Sequence, residues 1–287
     1  MSGRAVSDHN RPMRPLVVIP AFNEAGAISR VLDGVRAADP RLPVLVVDDG
    51  STDDTAGEAR RAGAEVLRLP MNLGYGSALQ TGYKYALRHG HDCVVQIDGD
   101  GQPEPADIPR LLAALEREGA DLALGSRFLE GNGYRAGLTR GAGMRLFRGL
   151  AFLATGVRFS DVTSGYQALT HDVLQFFQAE RYPADYPDAD VLVMLKGASF
   201  RFKEVPVRMY PKRNGRSMHA GLRPVYYTFK MLLSMLLMLL RRDSRARRGH
   251  GDVRTADRPP DALRHPHVRR GLRHACGVGP PAKAPRG

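Results

Sequence analysis

Short apolar runs alternate with stretches of helical spacing through the first half of the chain. Leu16–Ile19 reads as a strand ended by Pro20, and Ala25–Ala38 as a helix with Ile28, Val31, Leu32 and Val35 on one face. Val44–Val47 is a second buried strand, followed by Asp48-Asp49-Gly50-Ser51. A helix starts near Asp53, a good N-cap, and ends near Gly63. Glu65–Leu69, Cys93–Ile97 and Asp121–Leu124 read as further strands, with helices over Gly76–His89 and Ala106–Glu118 between them. This alternation predicts an α/β fold with a mostly parallel sheet and helices on both faces.

The second half is less regular. Thr139–Thr155 has helical spacing with a mixed apolar and basic surface. Gly165–Leu169 returns to the sheet, Val191–Gly197 is helical, and Phe200–Met209 reads as an edge strand interrupted by Pro206. Tyr210–Gly221 is a basic loop. Met231–Leu240 has only Ser234 as a polar residue, and from Pro224 the apolar span would be about 26 Å long as a helix. That is short for a hydrocarbon layer of about 30 Å. An interfacial or partner-packed helix, a short transmembrane helix and a buried core helix all fit. From Asp243 the composition turns to Arg, His, Pro and Gly without apolar periodicity, which predicts a disordered basic tail. The resulting plan is a flexible N-terminus over 1–14, an α/β domain over 15–221, a membrane-associated or partner-packed helix over 222–242 and a disordered basic tail over 243–287.

Charge sharpens this picture. The formal net charge is +12, of which residues 243–287 hold +7. Such an excess points to acidic partners: phosphorylated substrates, anionic lipid or nucleic acid. No nucleic-acid reader motif accompanies it. Cys93 and Cys276 form neither a CxxC pair nor a disulfide framework, and Cys93 reads as a small buried strand residue. Met1–Pro15 is polar and does not read as a signal peptide.

The chemistry gathers where strands end. Asp98-Gly99-Asp100 follows an apolar strand, and Pro103 follows soon after. The carboxyl ends of strands are where open α/β sheets bind ligands. Two carboxylates one residue apart suit Mg²⁺ or Mn²⁺ that also holds a substrate diphosphate. A calcium-binding loop would need glycine and glutamate where Pro103 and Pro109 stand. Three more loops should share that edge: Pro20-Ala21-Phe22-Asn23-Glu24, Asp48–Asp53, and Asn72-Leu73-Gly74-Tyr75-Gly76. Glu24 and Asp49 could accept hydrogen bonds from a base or ribose. Gly74-Tyr75-Gly76 is half of a dinucleotide fingerprint and lacks its third glycine.

The runs VVIPAFNEAG, VLVVDDGSTDDT, NLGYGSAL, QIDGDGQPEP, ALGSRF and DVTSGYQAL, in that order, resemble family 2 glycosyltransferases of the GT-A fold, which is Rossmann-like. The likeness is greatest to the subgroup with dolichyl-phosphate mannose synthase and bacterial polyprenyl-phosphate glycosyltransferases, and covers about Leu16 to Ser217. It implies a nucleotide-sugar site made by Pro20, Ala21, Asn23, Glu24 and Asp49, with Asp98, Gly99 and Asp100 at the diphosphate. It implies that Asp98 and Asp100 hold Mg²⁺ or Mn²⁺, with Gln102 beside the metal. It places Arg127 near the sugar and the acceptor phosphate, and Arg213 and Arg216 in a basic acceptor loop. There the chain departs from the family pattern: Met218-His219 follow Ser217, where a lysine is usual.

The expected activity is transfer of a sugar from a GDP-, UDP- or dTDP-linked donor to a polyprenyl phosphate. It would be metal-dependent and inverting, with a peripheral location on the cytoplasmic face of a membrane, a membrane-surface contact and room for a small membrane-protein partner. A phosphate acceptor is already anionic and needs little help from a base. If the acceptor is a hydroxyl, Asp161, Asp188 and Asp190 are the candidate bases. The absence of tryptophan argues against processive synthases with a Gln-x-x-Arg-Trp motif. The alternatives are a soluble or glycan hydroxyl acceptor, and a non-catalytic module that binds nucleotide sugar or recruits a membrane partner.

Overall fold

The computed structural model describes residues 13–129, 148–149, 151–153, 155–179 and 189–211. Arg213, Arg216, the helix expected within 222–242 and the tail from 243 lie outside the described residues. So do Asp188 and most of the helix expected over Thr139–Thr155.

Seven strands form one sheet. In chain order the elements are β1 (Pro15–Ala21), α1 (Ile28–Ala38), β2 (Val44–Asp48), α2 (Thr55–Arg61), β3 (Glu65–Arg68), α3 (Tyr75–Arg88) and β4 (Cys93–Gln96). A 3-10 turn at Pro105–Asp107 leads into α4 (Ile108–Glu116), followed by β5 (Leu122–Ser126), β6 (Gln167–Thr170), α5 (His171–Ala179), α6 (Ala189–Gly197) and β7 (Phe202–Pro206). The spatial order is β3-β2-β1-β4-β6-β5-β7. All neighbours are parallel except β6, which runs antiparallel between β4 and β5.

Apolar side chains alternate to both faces of the central strands. Leu16 and Val18 of β1 pack with α3, α5 and α6, through Leu79, Tyr83, Val173, Leu174, Phe177 and Leu195. Val17 and Ile19 point to the other face, against Ile28, Val31, Leu32 and Val35 of α1 and Ile108 and Leu111 of α4. Full burial of one such side chain stabilises by about 1.5–3 kcal/mol, so two covered faces make the sheet a firm base for its loops. Gly82 lets α3 approach β1 closely: a Cβ there would stand 2.4 Å from Val18 Cγ1. Cys93 is buried in β4, as its apolar surroundings predict.

Several boundaries moved. β1 does not stop at Pro20 but pairs with β2 through Ala21↔Asp48. Pro20 lies beyond the last β4 pair, Val18↔Gln96, so its missing N–H leaves no bond to β4 unmade. Helix α1 starts at Ile28 rather than Ala25, because the Ala27 and Ile28 N–H groups first turn back to the Glu24 carbonyl. Asp54, not Asp53, occupies the N-cap of α2. Asp53 instead accepts from the Thr55 N–H at 3.0 Å and from the Thr55 hydroxyl, and its other oxygen accepts from the Ala25 N–H at 3.2 Å. It therefore ties the loop after β2 to the loop after β1. Among the described residues no helix is long and apolar enough to cross a membrane.

Candidate active site

The carboxyl ends of β1, β2, β4 and β5 open on one edge of the sheet. The antiparallel β6 brings its leading loop, Asp161–Tyr166, to the same edge, because Gln167 pairs with Gln96 at the end of β4. The loop after β3 reaches this edge as well, where the Leu73 and Gly74 N–H groups bond Asp49.

Two of them are stitched by side chains. Asn23 sits at a positive φ of 57°. Its N–H donates to Ser51 Oγ at 2.9 Å, and its Oδ1 accepts from the Thr52 N–H at 2.8 Å. The Glu24 N–H donates to Thr55 Oγ1 at 2.8 Å. Asn23 thus shapes this edge through its own hydrogen bonds. Asp48, fully buried, accepts from the Ser51 N–H at 2.9 Å and lies 3.2 Å from Arg68 Nε. Asp49 accepts the Leu73 N–H at 2.8 Å on Oδ1 and the Gly74 N–H at 2.9 Å on Oδ2. Burial raises its pKa while those two bonds lower it, with a net upward shift. The structure gives Asp49 the duty of holding the loop that leads into α3.

Asp98 and Asp100 stand at the end of β4. Gly99 between them lies against Pro20 and Ala21 of β1, its Cβ position 3.2 Å from the Pro20 carbonyl oxygen. Burial, then repulsion from Asp100, pushes the Asp98 pKa up to about 6; Arg127 opposes the shift and Glu24 adds to it. Asp100, Glu24 and Arg127 are therefore each within electrostatic reach of Asp98. Asp98 Oδ1 accepts from the Tyr75 hydroxyl at 2.6 Å, and Asp100 Oδ1 accepts from the Gln102 N–H at 3.0 Å. Among the described residues, Oδ2 of each accepts no hydrogen bond. That donor set fits Mg²⁺ or Mn²⁺, which take one or two carboxylates and fill their remaining positions with phosphate oxygens and water. Among the described residues no group of three or more acidic, His or Cys side chains could hold a metal by itself. The Gln102 amide donates to the Tyr210 carbonyl at 3.2 Å, while the Tyr210 N–H donates to the Gln102 carbonyl at 2.7 Å. The Gln102 amide nitrogen thereby ties this loop to the segment after β7.

Arg127, just after β5, forms a two-pronged ion pair with Asp161: Nε to Oδ2 at 2.7 Å and Nη2 to Oδ1 at 2.8 Å. Nη2 also donates to Thr163 Oγ1 at 2.9 Å, and the guanidinium lies over the Phe128 ring. Asp161 is 1% exposed, and both its oxygens are engaged. It therefore sits as the anchor of Arg127 rather than as a poised base. Glu204 of β7 fixes this anchor in turn, its Oε1 accepting from the Ser160 N–H, the Ser160 hydroxyl and the Asp161 N–H. Asp190 lies in the first turn of α6.

Sequence reasoning passed over Tyr75, Gln96, Tyr83, Gly165 and Glu204. Tyr75 stands in the sequence as the middle of a weak glycine pattern and as part of the run NLGYGSAL, with no role attached to it. Its neighbour is Asp98, and no spacing in the chain announces that pairing. Burial, then the Asp98 charge, holds the Tyr75 phenol well above its ordinary pKa, so it stays a donor.

A profile of the family described as Glycosyl transferase family 2 matches residues 16–175, more than half of the chain. Over 218 residues the chain is 32% identical to the undecaprenyl-phosphate mannosyltransferase of Micrococcus luteus, covering 73% of this chain and 88% of that one. Over 169 residues it is 34% identical to the polyprenol monophosphomannose synthase of Mycolicibacterium smegmatis, covering 56% of this chain and 63% of that one. Among solved structures, glucosyl-3-phosphoglycerate synthase from Mycobacterium tuberculosis, in complex with Mn²⁺, uridine diphosphate and glucosyl-3-phosphoglycerate, matches with a TM-score of 0.61 at 23% identity over 79% of each chain. That likeness is one of fold, and the fold is GT-A. The chain belongs to glycosyltransferase family 2.

Proposed function

We propose that this glycosyltransferase moves a sugar from a nucleotide-diphosphate donor to a polyprenyl phosphate, with inversion, at the cytoplasmic face of a membrane. The observation that carries this reading is the meeting of Asp98 and Asp100 with Arg127 on one sheet edge. A pair of carboxylates suited to a metal-held diphosphate, with an anchored cation in electrostatic reach of Asp98, supports it. The names of the Micrococcus and Mycolicibacterium relatives support the lipid-phosphate acceptor.

In this reading Pro20, Ala21, Asn23, Glu24 and Asp49 frame the nucleotide. Asp98 and Asp100 would hold Mg²⁺ or Mn²⁺, which when bound would offset the charge of the departing diphosphate. Gly99 keeps the turn between them against β1, and Gln102 holds the loop beside them. Arg127, kept in place by Asp161, draws the acceptor phosphate to the sugar by charge-assisted hydrogen bonds. Arg213 and Arg216 would add positive charge on the acceptor side. The bond from the anomeric carbon to the diphosphate oxygen breaks, and a bond from that carbon to an acceptor phosphate oxygen forms. A phosphate monoester with a second pKa near ~6 is mostly doubly ionised at neutral pH, so no side chain has to remove its proton. The apolar span within 222–242 and the basic tail would hold the enzyme at the membrane surface or on a small membrane-protein partner.

The test is incubation of the purified full-length protein with polyprenyl phosphate and a panel of labelled UDP-, GDP- and dTDP-sugars. Transfer to the lipid phosphate with one of the donors is the expected outcome. Transfer only to a soluble or glycan hydroxyl would remove the lipid acceptor. Nucleotide binding without turnover on any acceptor would remove the catalytic reading.

A further inference from the structure

Tyr83 and Tyr75 of α3, Gln96 of β4 and Asp98 form a continuous hydrogen-bonded line from the core to the site. The Tyr83 hydroxyl donates to Gln96 Oε1 at 2.5 Å, Gln96 Nε2 donates to the Tyr75 hydroxyl at 3.0 Å, and the Tyr75 hydroxyl donates to Asp98 Oδ1 at 2.6 Å. Tyr83 is 2% exposed and stacks on Phe177 of α5 at 5.9 Å, so the inner end of the line is fixed by packing.

The line has one permitted direction. An ionised carboxylate can only accept, so Asp98 takes the single Tyr75 proton. The Tyr75 oxygen must then accept, and only the NH₂ side of the Gln96 amide can donate to it. That turns Gln96 Oε1 towards Tyr83, which must donate. With the amide reversed, Oε1 would compete for the Tyr75 proton and a phenol lone pair would face the carboxylate. Beside this pair Gly165 leaves no spare room: a Cβ there would lie 2.8 Å from the Tyr75 oxygen and 3.2 and 3.3 Å from the Asp98 oxygens.

We infer that Tyr75 is a positioning residue, aimed by Gln96 and Tyr83, that fixes the Asp98 carboxylate by Oδ1 and leaves Oδ2 for the divalent cation. This rests on the metal-binding reading of Asp98 and Asp100 given above. Groups that orient a metal ligand from behind are worth about 10–100-fold in metal affinity.

The experiment titrates full-length wild type, Tyr75→Phe and Tyr83→Phe with Mn²⁺, in the presence of whichever of UDP or GDP the wild type binds. Free Mn²⁺ is followed by electron paramagnetic resonance. Tyr75→Phe keeps the ring and loses only the proton donor. It is expected to weaken Mn²⁺ binding by about 10–100-fold, with an unchanged far-ultraviolet circular dichroism spectrum. Tyr83→Phe is expected to weaken it in the same direction by less. Mn²⁺ affinity within about twofold of wild type in Tyr75→Phe would overturn the positioning role and leave the metal reading intact. Should Tyr75→Phe fail to fold, unchanged affinity in Tyr83→Phe overturns it. A wild type that binds no Mn²⁺ would overturn the metal reading, and the positioning role with it.

Discussion

Gly165 faces Asp98 with its Cβ position 3.2 Å from Oδ2 and 3.3 Å from Oδ1. The two residues come from loops before β6 and after β4, and the contact exists because those strands are antiparallel neighbours. Adding a methyl group there must displace the carboxylate or the Tyr75 hydroxyl. Gly165→Ala is expected to lower Mn²⁺ affinity and kcat by about tenfold, in the range seen when a ligand's supporting shell is disturbed. The protein should remain folded. Mn²⁺ titration and melting curves of the variant check this, and wild-type affinity would refute it.

Asp100 is the second carboxylate of the pair. Asp100→Ala should reduce kcat by about 10²–10³-fold or more, the scale of losing one electrostatic stabiliser of a developing charge. Its fold should be unchanged, because Asp100 is part of a surface loop with one backbone partner, Gln102. Steady-state rates beside a circular dichroism spectrum decide it. Near-normal turnover would remove Asp100 from the metal site.

The Arg127–Asp161 pair gives a prediction with two readouts. Removing one partner of a buried ion pair leaves the other uncompensated, at a cost of about 3–5 kcal/mol. Arg127 retains some exposure, so Asp161→Asn should fall at the lower end of that range in urea unfolding. Activity should drop as Arg127 loses its anchor, with the shape of the pH–rate profile preserved. If an acid limb disappeared in this variant, Asp161 would be acting as a proton acceptor instead.

The Asp98 pKa gives a pH prediction for the protein in chelator. Its folded value, about 6, lies above the unfolded value of 3.8. The folded state therefore holds a proton that the unfolded state has released, and the unfolded state binds fewer protons between the two values. Stability from this group is full below the unfolded pKa and is lost as pH rises through the folded one. Asp98→Asn cannot lose it. The metal-free variant should melt above the metal-free wild type at neutral pH, and the gap should close towards about pH 4. Differential scanning calorimetry across that window would show it; a gap independent of pH would contradict it.

Glu204 offers a more distant handle. Its Oε1 takes three donors from Ser160 and Asp161, so Glu204→Ala frees the loop that anchors Arg127. The expected result is a fall in kcat/KM of about tenfold, as for other supporting contacts behind a functional side chain, with donor-nucleotide affinity preserved. Isothermal titration with UDP or GDP separates the two quantities, and equal losses in both would contradict the assignment.

Much of the fold was legible because its determinants are local. Short continuous apolar runs marked β1 and β2, and Ile28, Val31, Leu32 and Val35 marked α1 at helical spacing. Boundaries such as Pro20 were less legible: whether a missing N–H matters depends on which neighbour the strand has at that point. The run Asp98-Gly99-Asp100 could be read as metal chemistry because ligand type and spacing lie in adjacent residues. The ordered motifs from Leu16 onward pointed to the family. The tertiary structure alone decided that β6 runs antiparallel between β4 and β5. That one choice set Gly165 against Asp98 and Asp161 against Arg127, pairs separated by tens of residues. It likewise decided that Tyr75 donates to Asp98 and that Asp49 holds the 73–74 backbone, since the partner of a hydrogen bond is fixed by packing and direction, which a linear pattern of residue types does not contain.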